Sequence, residues 1–245
     1  MKLISSVSIY IAGLCIGGGL FVLRLFRIWK VTGMENLPTL AEKGDKGIVM
    51  VSNHPSLLEP IALPALFAHW YFFDMKYGPW NIAETGNFKR GLFRLLEQRI
   101  IFVDRKSEES KTRGSLRAKT LLKSGAIILI FPEGGRTCSG KLGEFLVDVN
   151  SDGIKEKGNR PKIRPFTKGA ATLAIQTQAM VIPIWVEGTD KVSPNGKKVR
   201  YPFPRFWRKV KIIIGKPVIF PADVSAEAAT HELERAVLGL ADKAR

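Results

Sequence analysis

The sequence predicts an α/β domain preceded by an N-terminal membrane-associated helix, and three observations carry that prediction. Beyond residue 30 the apolar pattern switches repeatedly between short β-rich runs and longer helical stretches, as strands and helices interleaved around one sheet require. No Ser/Pro/Gly-rich stretch divides the 245 residues, so one compact domain with a terminal appendage is expected. Finally, Leu3 to Leu23 is a run of 21 uncharged, mostly apolar residues, the length a helix needs to cross the hydrocarbon core of a bilayer.

Taken in order, that run comes first and sets the expected limits: a membrane-anchoring helix over 1–30 and the folded domain over 31–245. Arg24, Arg27 and Lys30 follow it directly. A cleavable signal would end in small residues instead. If the helix spans, the basic cluster places the rest on the cytoplasmic face; if it lies in the interface, the same cations meet anionic headgroups. Gly17, Gly18 and Gly19 lower its helical propensity. Strands are expected at Gly47–Ser52, Ile100–Val103, Ala126–Phe131, Val181–Val186 and Val210–Ile214, and helices at Leu57–Phe67, Ser107–Leu122, Lys168–Gln178 and Ser225–Ala244. In the last helix Ala229, Leu233, Ala236, Val237 and Leu240 share one face, with Ser225 as N-cap. Two segments interrupt the alternation. Lys141–Arg164 is polar and turn-rich and reads as a surface insertion. Lys191–Lys216 holds nine basic and no acidic residues among Tyr201, Phe203, Phe206 and Trp207, either a solvated loop or a membrane-facing edge.

Composition narrows the partners. Hydrophobic residues at 45% and charged residues at 24% are ordinary for a globular protein, whereas a net charge of +16 demands an anionic partner. Cys15 and Cys138 lie in unlike contexts, and with three histidines the chain offers no disulfide framework and no metal pattern.

Three motifs that could carry chemistry each follow an apolar strand, where open α/β sheets hold functional groups. Asn53-His54-Pro55-Ser56-Leu57-Leu58-Glu59 provides a histidine and, about one turn into the following helix, a carboxylate able to reach back to one ring nitrogen. That would fix the tautomer and leave the other nitrogen free to take a proton from an alcohol. Phe131-Pro132-Glu133-Gly134-Gly135-Arg136-Thr137 combines glycines with a forked cation, as a phosphate-binding turn does. Phe102-Val103-Asp104-Arg105 adds a second cation. A satisfied loop histidine and an ordinary tight turn are the alternatives for the first two.

In this order, and with Pro165-Phe166-Thr167-Lys168-Gly169-Ala170 and Val181-Ile182-Pro183-Ile184 behind them, the motifs resemble the glycerol-phosphate and lysophosphatidic acid acyltransferase family over roughly Gly47 to Gly188. The resemblance implies a single acyltransferase domain with a central mixed sheet flanked by helices. It also implies an acyl thioester donor (acyl-CoA or acyl carrier protein as co-substrate, with no other cofactor) and a lysophospholipid acceptor, most simply 1-acylglycerol-3-phosphate. By position it makes His54 the general base and Glu59 its orienting acid, and it assigns Arg105, Glu133, Gly134, Gly135, Arg136 and Thr137 to acceptor binding, with no metal.

Three departures stand out. The family's usual acid is aspartate, and Glu59 is one methylene longer. Gly135 stands where the family has threonine. Glu84, in Ile82-Ala83-Glu84, falls where many relatives have lysine. Another lysolipid or an acylated amino-acid lipid is therefore kept as an alternative acceptor. Of the rival classes, a P-loop at Gly135–Lys141 fails because Leu142 replaces the magnesium-binding hydroxyl, and no Gly-x-Ser-x-Gly elbow is present. A basic membrane- or nucleic-acid-binding module explains the charge but not the histidine and carboxylate at a strand end, and the apolar N-terminus disfavours nucleic acid.

Overall fold

The computed structural model describes residues 2–72, 74–85, 98–137, 163–193 and 205–242. Helix α1 (Lys2–Leu25) leads into β1 (Trp29–Thr32), α2 (Leu40–Lys43), β2 (Ile48–Ser52), α3 (Glu59–Ala62), α4 (Ala68–Tyr71), β3 (Trp80–Glu84) and β4 (Ile100–Val103). Then come α5 (Glu108–Lys123), β5 (Ile127–Ile130), α6 (Gly169–Thr177), β6 (Met180–Glu187), α7 (Thr189–Val192), β7 (Val210–Ile214) and α8 (Ala226–Asp242). The strands form one sheet in the order β1-β7-β6-β2-β5-β3-β4. From β6 through β4 the neighbours are parallel; β7 runs antiparallel to β6 and parallel to β1. The sheet is thus mixed and flanked by helices, as expected.

Both faces are covered, and the central strands alternate between them. Ile48 and Met50 of β2 point to one core, Val49 and Val51 to the other; Ile127 and Leu129 of β5 oppose Ile128 in the same way. Helices α5, α6 and α8 cover the face of Val49, Val51 and Ile128 through Ala118, Leu122, Ala170, Leu173, Leu233 and Val237. The face of Ile48, Met50, Ile127 and Leu129 is covered by α3, α4 and the 3-10 helix Pro64–Phe67, with Leu20 and Leu23 of α1 at its margin. Such double coverage is why the central strands read as continuous apolar runs. Helix ends follow the local chemistry: Ser107 Oγ accepts from Ser110 N at 3.2 Å, and Ser225 Oγ from Ala228 N at 3.1 Å.

The expected helix Leu57–Phe67 is broken into α3 and a 3-10 turn. Pro64 has no N–H to donate to the carbonyl of Pro60, and Asn81 Nδ2 donates to it instead at 3.2 Å. Strands β1 and β3 were not expected, and the boundary at residue 30 falls inside β1. The Lys141–Arg164 insertion lies largely outside the described residues, as do 194–204 of the Lys191–Lys216 stretch, in the rest of which Phe206 and Trp207 are exposed.

Helix α1 runs unbroken through its glycines. A Cβ on Gly17 would lie 2.9 Å from that of Ala68, and one on Gly13 would overlap the Tyr71 hydroxyl. Two glycines one turn apart thus let α4 approach the α1 backbone. Among the described residues no helix is long and apolar enough to cross a membrane. Outward from this docked helix, Ile11, Phe21, Val22, Leu25 and the following Phe26 are exposed.

Candidate active site

The carboxyl ends of β2 and β5 meet at the middle of the sheet, and the first and second motifs leave from them. Asn53 fixes the exit of β2. Its Nδ2 donates to Val186 O and its Oδ1 accepts from Val186 N, both at 2.8 Å, so the strand end is pinned to β6.

Glu59 does not sit a turn into a helix; it opens α3, preceded by Leu58 as cap. Its carboxylate is fully buried. Oε2 accepts from His54 Nδ1 at 2.9 Å and from Ser56 N at 3.0 Å, while Oε1 accepts from Ser56 Oγ at 2.9 Å. With Ser56 N–H already aimed at Oε2, the geometry suits a proton on Nδ1 of the imidazole and a lone pair on Nε2. The ring stacks on Phe131, centroids 4.1 Å apart and planes 18° from parallel. Position, tautomer and ring plane are thereby each held by a different neighbour.

The turn after β5 supports the same histidine from behind. Glu133 Oε1 accepts from His54 N at 2.9 Å and from Thr137 Oγ1 at 2.6 Å, and its Oε2 accepts from Arg164 N at 2.9 Å. Thr137 in turn donates its N–H to His54 O at 2.8 Å. Burial pushes the Glu133 carboxyl up from its usual value, opposed by the bonds from Thr137, Arg164 and His54. The resemblance assigns Glu133 and Thr137 to acceptor binding; in the structure both buried side chains bond the backbone N–H of His54. A carboxylate facing the cavity there would also repel a phosphate.

In front of His54 lies an open cavity, whose wall includes Leu57, Ile82, Glu84, Arg105, Phe131 and Gly135. Arg105 reaches across from the end of β4, donating Nη1 to the carbonyl of Gly134 while its Nε lies 3.8 Å from Glu84 Oε2. Gly134 adopts φ 65°, the left-handed region that glycine enters without strain. Arg136 is partly buried on the same turn. So His54, Glu59, Arg105 and the glycine turn converge, with Glu133 and Thr137 behind them. Asn53, Ser56, Phe131 and Glu84 complete the arrangement; of these, only the Asn-His dipeptide and the acid at 84 left a signal in the sequence. Among the described residues no group of three or more His, Cys, Asp or Glu side chains could hold a metal.

A pair of this kind, a buried carboxylate orienting a histidine over an open cavity, can remove a proton from an incoming hydroxyl. A chloroplastic 1-acyl-sn-glycerol-3-phosphate acyltransferase of Brassica napus is 29% identical over 83% of this chain and 49% of its own length. The chloroplastic enzyme of that name from Arabidopsis thaliana is 30% identical over 77% of this chain and 43% of its own. The chain therefore spans about half the length of these curated relatives. Its fold matches the crystal structure of the 1-acyl-sn-glycerophosphate acyltransferase PlsC from Thermotoga maritima, with a TM-score of 0.65 and 23% identity over 96% of this chain and 79% of that one. The acyltransferase family model matches residues 28–187, from the approach to β1 to the end of β6 and so through every motif above; the chain belongs to the acyltransferase family.

Proposed function

We propose that the protein moves a fatty acyl group from an acyl thioester, carried by coenzyme A or acyl carrier protein, to the free hydroxyl of 1-acylglycerol-3-phosphate, giving phosphatidic acid. The observation that carries this reading is the His54 Nδ1–Glu59 Oε2 bond of 2.9 Å at the rim of a cavity that also holds Arg105. Nε2 of His54 takes the hydroxyl proton as the oxygen attacks the thioester carbonyl. The carbon–sulfur bond then breaks, and the proton passes from Nε2 to the departing sulfur as free thiol. Backbone N–H groups near the motifs would stabilise the oxyanion, in the manner of preorganised donors. No residue needs to be acylated.

The substrates dissolve poorly in water, and the exposed Phe21, Leu25 and Phe26 at the end of α1, beside Arg24 and Arg27, would hold the cavity at an anionic lipid surface, on the cytoplasmic face. One observation favours a second acceptor: Glu84 in the cavity wall would suit the ammonium of an acylated amino-acid lipid.

Thiol release by the purified protein, with acyl-CoA and acyl carrier protein as donors, tests both against a panel of acceptors. Lysophosphatidic acid is expected to be acylated best. His54→Ala is expected to abolish turnover and keep vesicle binding, and a variant that still turns over would refute the assignment of the base.

A further inference from the structure

Gly135 departs from the family's threonine, yet its backbone gives no reason for glycine. Gly134 needs a positive φ and Gly135 does not. What a side chain there would displace is Arg164: a Cβ built on Gly135 would lie 2.6 Å from Arg164 Nη1 and 3.7 Å from its Cζ. The guanidinium therefore lies over the bare face of Gly135, a residue of the cavity wall. Its backbone is fixed there by the 2.9 Å bond from Arg164 N to Glu133 Oε2. Arg105 meets the same turn at the carbonyl of Gly134, so two guanidinium groups flank two consecutive residues, the second of which lines the cavity in front of His54. Arg105 alone is a weak site for a dianion, because Glu84 stands 3.8 Å from its Nε and offsets its charge.

We propose that Arg164 is a substrate-binding residue that, with Arg105, clasps the phosphate of the acceptor across the Gly134–Gly135 turn, and that Gly135 is glycine to make room for it. The loss of the threonine hydroxyl is thus offset by a forked cation arriving from 29 residues further along. This rests on the acceptor being a phosphate ester, as in the function proposed above.

The test compares the parent with Arg164→Ala, Arg164→Lys, Gly135→Thr and the double variant Gly135→Thr/Arg164→Ala. KM and kcat are measured for lysophosphatidic acid, for the thioester and for a phosphate-free monoacylglycerol. Arg164→Ala is expected to raise KM for lysophosphatidic acid by roughly 10- to 100-fold, the scale of a lost charge-assisted hydrogen bond. Thioester KM and the slow rate on monoacylglycerol should stay unchanged, and lysine should restore part of the loss. Gly135→Thr, although it restores the family's residue, is expected to weaken the phosphate acceptor too, because the end of a flexible side chain will give way. The double variant should then be no worse than Arg164→Ala alone. Equal losses on both acceptors, or additive effects of the two substitutions, would overturn the proposal. If the parent acylates the two acceptors equally well, the phosphate-ester reading itself fails, independently of Arg164.

Discussion

Replacing Glu59 by aspartate, the acid more usual in the family, is expected to damage this protein. The shorter side chain withdraws the carboxylate by one carbon–carbon bond, about 1.5 Å. The 2.9 Å contact with His54 Nδ1 then stretches to roughly 4.4 Å, beyond hydrogen-bond reach. The bonds from Ser56 N and Ser56 Oγ are lost with it, and the vacated space is buried. For catalysis the relevant loss is the bond that fixes the imidazole tautomer, about 1.5–3 kcal/mol, or roughly 10- to 150-fold in kcat. Glutamine should do better. Both His54 Nδ1 and Ser56 N donate to the same oxygen, so the amide must present its carbonyl there and leave its NH2 for the Ser56 hydroxyl, which can accept. The order of activity is thus parent, Glu59→Gln, Glu59→Asp, opposite to the order that charge alone would give. The assay is thiol release at saturating donor and acceptor, with thermal melts to confirm that each variant is folded at the assay temperature. Turnover by Glu59→Asp equal to or above the parent's would refute this geometry.

Two other substitutions probe the support behind the site and its approach to lipid. Glu133→Gln replaces the oxygen facing either Arg164 N or His54 N with a donor, so thermal stability should fall by about 1–3 kcal/mol, and activity with it, as His54 loosens. Burial raises the Glu133 carboxyl above its usual 4.5, so just above that pH the folded protein keeps a proton that the unfolded chain has released. Its stability therefore falls as pH rises through the interval, and Glu133→Gln should flatten that slope in melts taken across it. An unchanged slope would mean the carboxylate is fully compensated by its donors. The double substitution of Phe21 and Phe26 by serine, at the exposed end of α1, should reduce co-sedimentation with anionic vesicles by about tenfold or more. Retained binding would place the lipid-facing surface elsewhere.

The strands legible in the sequence are those with unbroken apolar runs: β2 and β5 at the centre and β4 at the edge could be read directly. The two that escaped are edge or near-edge strands in which burial is partial. Strand β1 buries only Trp29 of its four residues, and its partner β7 lies far along the chain; β3 interrupts its apolar pattern with Asn81 and Glu84. The site divides along the same line. His54 and Glu59 are five residues apart, so local spacing sufficed to pair them, and only the helix that was to carry Glu59 was misplaced, because Pro60 and Pro64 shorten it. The Glu-Gly-Gly-Arg turn was legible as a group of residue types but not as a set of directions. Which way Glu133 faces depends on the backbone of His54, 79 residues earlier, and why position 135 is glycine depends on Arg164, 29 residues later. Motif spacing reports which groups are available at a strand end; direction is set by whichever distant neighbour satisfies a buried donor or acceptor first. A carboxylate in such a motif is therefore to be assigned to substrate only after the backbone N–H groups around it have been accounted for, and in this turn they leave Glu133 no oxygen without a donor while the guanidinium of Arg105 stands in the cavity wall.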